Sequence, residues 1–110
     1  MSKRSNSILI EDIIECCNKI FKYTEGYSYE SFEDDDKTID AVIRNFEIIG
    51  EAANRLSDDF KDNYLEIDWH KIRGFRNRIV HDYAGVDIKI IWNIIKDYLP
   101  AMYNEIIKIK

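Results

Sequence analysis

Apolar residues recur along this chain in steps of three and four, the repeat of a helix that buries one face. The first run is Ile10, Ile13, Ile14, Cys17, Ile20 and Phe21. It predicts a helix over about residues 6 to 24 that stops near Gly26. Tyr27 to Asp36 reads as a polar, aromatic-bearing connection with room for one short helical turn at Tyr29 to Glu33. The second run, Ile39, Val42, Phe46, Ile49, Ala53 and Leu56, predicts a long helix packed along another. Its start is marked by Asp34, Asp35 and Asp36, which bring negative charge to the positive end of the helix dipole and offer a cap for free N–H groups. Gly50 costs helix propensity in mid-run, which points to a close neighbour there.

An acidic and aromatic link, Ser57 to Glu66, leads to a third helix with Asp68 as N-cap and Ile67 and Ile72 spaced as a hydrophobic staple. That helix is expected to end near Tyr83 to Gly85. Asp87, with Val86 and Ile91 as staple, repeats the device. Ile88, Ile91, Trp92, Ile95, Leu99, Met102 and Ile106 then mark a last long helix, in which Pro100 removes one hydrogen bond and is expected to introduce a bend. The chain has one proline and four glycines, too few for a turn-rich β protein. The fold expected is all-α, an antiparallel bundle of four main helices forming a single domain over residues 1–110.

Charge changes this picture in one place. The net charge is −5, yet Trp69 to His81 holds Lys71, Arg73, Arg76 and Arg78 with no acid. That segment carries +4 and the rest of the chain −9. Both histidines, His70 and His81, lie in it. Such a distribution suits local engagement of a phosphate better than the coating of a polyanion. Cys16 and Cys17 are adjacent, so they neither staple two elements nor match a zinc-ligand spacing. A reducing cytoplasm is the simplest compartment, and no apolar window is long enough to span a bilayer.

On a wheel of about 100° per residue, Trp69, Ile72, Ile79, Val80 and Tyr83 fall within about 60° of Arg76, so a guanidinium projects from an apolar face. An unpaired charge there is costly. Three outcomes relieve it: a carboxylate such as Glu47 or Glu51 pairs with it, its stem reaches the edge, or the face belongs to an interface or cleft where an anion binds. Beside it Arg73, Asn77 and His81 stand at i, i+4 and i+8, and Tyr83 follows. This set can handle a phosphodiester: Arg neutralises a non-bridging oxygen, His transfers a proton near neutral pH, and Asn and Tyr orient by hydrogen bonds. Because one His supplies one proton-transfer role at a time, a symmetric dimer with its site at the shared face supplies both.

The run Arg76-Asn77-Arg78-Ile79-Val80-His81-Asp82-Tyr83 resembles the R-N-x-x-x-H-x-Y signature of the HepT-like proteins, a branch of the HEPN superfamily. The resemblance extends to Asp40 through Ala52, to Trp69 through Phe75, and to Gly85-Val86-Asp87 with Trp92 and Leu99-Pro100. One departure is the approach Leu65-Glu66-Ile67-Asp68, which lacks the proline expected there. The resemblance implies a dimerising HEPN-like fold and the toxin of a type VII-like toxin–antitoxin system, an endoribonuclease that cleaves RNA without metal or cofactor in a homodimer. By that analogy Arg76 and His81 are the catalytic pair, and Asn77 and Tyr83 support them. The cognate antitoxin would resemble a minimal nucleotidyltransferase and silence the toxin by transferring AMP to Tyr83. The competing readings are a non-catalytic nucleotide-binding or regulatory subunit of a nucleotidyltransferase, and a helical dimerisation module whose Arg76 is merely salt-bridged.

Overall fold

The computed structural model describes residues 5–81 and 87–109, with side chains excluded at residues 75, 76 and 78–81. Every regular element among the described residues is helical. α1 spans Asn6–Thr24, α2 Tyr29–Glu33, α3 Asp36–Arg55, α4 Asp58–Asp62, α5 Trp69–His81, α6 Ile88–Asn93 and α7 Leu99–Ile107. A π-helical turn, Ile94–Tyr98, joins α6 to α7, so the last three segments run as one helix.

α1 and α3 are antiparallel, pinned at both ends. At one end Asn6 Nδ2 donates to Ser57 Oγ, and Ser57 N donates back to Asn6 Oδ1, both at 3.2 Å. At the other, Tyr27 Oη donates to Asp35 Oδ2 at 2.6 Å. Their apolar faces meet in between, through Ile13, Cys17 and Ile20 from α1 and Val42, Phe46 and Ile49 from α3, all buried. α7 also packs on α1, α2 on α3 and α6, and α5 on α3. Phe32 of α2 is completely buried and lies 5.1 Å, centroid to centroid, from Trp92 of α6, so this short helix closes the core with one large side chain.

The helix starts follow local chemistry. Asp35 Oδ1 accepts from Thr38 N at 3.1 Å, which makes the middle aspartate of the acidic run the cap. Asp87 Oδ1 accepts from Lys89 N at 2.9 Å in the same role. Ser28 and Ser31 form a reciprocal capping box for α2.

Two features depart from expectation. The link after α3 contains α4, capped by Ser57 Oγ accepting from Phe60 N at 3.2 Å. Ahead of Pro100 the turn is widened to a π turn, in which Leu99 N donates to Ile94 O, five residues back. Proline has no N–H for the carbonyl of Lys96 and its ring crowds that carbonyl; an added residue per turn lets the helix pass it. Among the described residues no helix is long and apolar enough to cross a membrane.

Candidate functional site

α5 carries the basic segment, and its start is closely held. Asp68 Oδ1 accepts from Lys71 N at 2.9 Å, and Ile67 and Ile72, flanking the cap as a staple pair should, are both buried. Trp69 Nε1 donates to the backbone oxygen of Tyr64 at 3.1 Å, fixing the indole against the α4–α5 link. Lys71 Nζ sits 4.5 Å from the centroid of the Tyr98 ring, tying α5 to the π turn. Burial, and then the charge of Asp68, raise the pKa of that phenol. The frame of α5 is therefore fixed before any functional side chain is considered.

Arg73 is exposed and Asn77 half-buried, and together they line one recess of about 160 Å³ against α3. The facing wall is Gly50, Glu51, Asn54 and Arg55. The stripe expected at i and i+4 is thus assembled for its first two members. Gly50 is buried at this wall. Arg76 and His81 stand on the backbone of α5, while their side chains lie outside the described residues, as does all of Tyr83. The same holds for the pairing of Arg76 with Glu47 or Glu51, the end of α5 near Tyr83 to Gly85, and the Val86 half of the second staple.

Sequence reasoning missed the contribution of α3. Asn54 and Arg55 bring an amide and a second guanidinium to the recess. A signal was available: Gly50, Glu51, Asn54 and Arg55 are spaced i, i+1, i+4 and i+5 on one face, and the glycine marks the side where another helix comes close. Among the described residues no ion pair joins a carboxylate to Arg55 or Arg73. Among the described residues, too, no three His, Cys, Asp or Glu side chains gather as a metal-holding group.

A second recess, of about 270 Å³, opens on the other side of Arg73 toward α4. Lys61, Leu65, Trp69 and His70 help to line it. Arg73 is common to both recesses.

The sequence profile of the family described as "Ribonuclease HepT-like" matches residues 13–109. The chain belongs to this family. Its relatives include "Probable ribonuclease HepT" of Thermococcus cleftensis, 37% identical over 108 residues that cover 98% of each chain. "Putative RNase MJ1380" of Methanocaldococcus jannaschii is 34% identical over 106 residues, 96% of this chain and 97% of the relative. No solved structure matches the chain. The HepT-like match begins within α1 and runs past α7, so it takes in both walls of the Arg73 recess. The all-helical architecture agrees with the HEPN-like fold expected of the family.

Proposed function

We propose that this HepT-like chain is a metal-independent endoribonuclease, the toxin of a type VII-like toxin–antitoxin pair, acting as a homodimer with Arg76 and His81 as its catalytic pair. The observation that carries the reading is the family match over residues 13–109, which includes Arg76, Asn77, His81 and Tyr83 at R-N-x-x-x-H-x-Y spacing. The relatives' names as ribonucleases and the basic recess at Arg73 and Asn77 add support.

The chemistry follows from the residue types. The 2′-oxygen of a ribose attacks the adjacent phosphorus, the bond from phosphorus to the 5′-oxygen breaks, and the products are a 2′,3′-cyclic phosphate and a free 5′-hydroxyl. One imidazole takes the proton from the 2′-hydroxyl and the second, from the partner copy, gives one to the departing 5′-oxygen. Arg76 neutralises the charge gathering on the non-bridging oxygens, and Arg73, Asn77 and Tyr83 hold the strand. AMP transferred to Tyr83 by a cognate minimal nucleotidyltransferase adds charge and bulk at the same cleft, which repels and excludes RNA.

The test is RNA cleavage in EDTA. His81→Ala is expected to lose on the order of 10²–10⁴ in rate, and Arg76→Ala on the order of 10²–10³. Equal activity in all three proteins would assign the cleavage to a contaminant. Tight binding of a mononucleotide with no RNA turnover would favour a nucleotide-binding regulatory subunit instead. Incubation with the nucleotidyltransferase and ATP is expected to add mass to the wild type and none to Tyr83→Phe, read by intact-mass spectrometry.

A further inference from the structure

The two recesses that share Arg73 differ in kind. The first is small, well under the roughly 300–1,000 Å³ of a typical small-molecule pocket, and among the described residues it carries Arg55 and Arg73 against the carboxylate of Glu51. Among the described residues its lining is cationic, which suits a phosphate group. The second holds Lys61 and Arg73 against Asp58 and Asp62, so its charges balance, and Lys61 already lies 4.0 Å from Asp58. What it offers instead is apolar surface. Leu65 is 75% exposed there, the most exposed of the large hydrophobic residues among those described, beside a half-buried Trp69 whose indole is held by its hydrogen bond to Tyr64. A fixed ring beside an exposed aliphatic side chain, with His70 at the rim, is a surface against which a nucleobase stacks. Residues four apart on α5 lie about 6 Å apart along its axis. The sequence Asn77, Arg73, Trp69 therefore steps away from the motif in one direction.

We propose that α3, α4 and α5 form a single-stranded RNA track beyond the cleavage point: Arg55 and Arg73 grip a phosphate next to the scissile one, and the following base lies against Trp69 and Leu65. This rests on the ribonuclease reading and adds to it a binding residue, Arg55 of α3, that lies outside the motif. It also gives the chain a preference for substrates extending past the cut.

The experiment uses the full chain carrying His81→Ala, so that RNA is bound and not cut, with a fluorescein-labelled single-stranded RNA decamer read by anisotropy. Adding Arg55→Ala is expected to weaken binding about tenfold and to reduce the salt slope by about 0.7, the loss of one phosphate contact on a single strand. Lys19→Ala, which removes the same charge from a Glu15 pair on α1, is expected to match the parent. A scan of single abasic positions along the RNA needs no protein variant and is expected to show one position whose loss weakens binding about fivefold or more. The track is overturned if Arg55→Ala binds like Lys19→Ala or if the abasic scan is flat, even where the wild type cuts RNA. Binding with the expected Arg55 and abasic dependence, but no cleavage by the wild type, would uphold the track and sink the catalytic assignment. A chain that neither binds nor cuts RNA would overturn both.

Discussion

Asp35 ties two elements together through one carboxylate. Its Oδ2 takes the Tyr27 hydroxyl at 2.6 Å and the Thr38 hydroxyl at 2.8 Å, while Oδ1 caps α3. These bonds, Tyr27 first, hold its pKa below the ordinary 3.8. A lowered folded value means that the stabilisation is present above 3.8 and is lost as pH falls below it. Tyr27→Phe should therefore move the Asp35 carboxyl titration upward, measured by NMR; an unmoved midpoint would remove Tyr27 as the main cause. The opposite sign applies to Cys17. Burial lifts its thiol from 9.0 to about 12, so the folded chain keeps the proton after the unfolded chain has lost it. Its contribution is complete below pH 9 and is lost as pH rises toward 12. Between pH 8 and pH 10 the unfolding free energy should fall by on the order of 1 kcal/mol more in the wild type than in Cys17→Ala. Urea unfolding at the two pH values makes the comparison, and parallel losses would mean that the thiol titrates in the fold as it does in the open chain.

Helices were legible in the sequence wherever a buried stripe and a local cap coincided. α1 is predicted from its apolar steps alone, and α3, α5 and α6 start one residue after an aspartate whose oxygen reaches a backbone N–H within the same turn. α4 was missed because it buries no residue, leaving no periodic face to read; its only sign was Ser57 ahead of Asp58 and Asp59. The π turn was missed for a different reason. A widened turn lets Ile94 and Ile95 both be buried, yet over so short a stretch the apolar series still reads as an ordinary helix. In the candidate site the stripe of Arg73 and Asn77 was visible because four-residue spacing is local, whereas Asn54 and Arg55 depend on which face of α3 meets α5. The Asp68 cap matters because α5 carries the whole basic segment. Asp68→Ala is expected to cost about 1 kcal/mol of stability, and Asp68→Asn to recover most of it. Urea denaturation distinguishes the two, and equal loss in both would point to the Asp68 charge, felt by Tyr98, instead of the cap.

At the scale of the whole molecule, the proposed chemistry needs more than one chain provides. Among the described residues, α5 makes its main helix contact with α3. The exposed surface of 6895 Å² leaves ample area for a two-fold interface, which needs about 800 Å² from each partner. If both imidazoles of such a dimer are required, one as base and one as acid, a chain lacking His81 poisons any wild-type chain it pairs with. Co-folding equal amounts of wild-type and His81→Ala chains gives about one quarter fully wild-type dimers by random pairing. The cleavage rate should then fall to about a quarter of that of the same total amount of wild type, and not to the half expected of chains acting alone. Independent sites would leave activity proportional to wild-type content at every mixing ratio. A quadratic dependence, together with a specific activity that drops on dilution, would bind the two motifs into one catalytic unit.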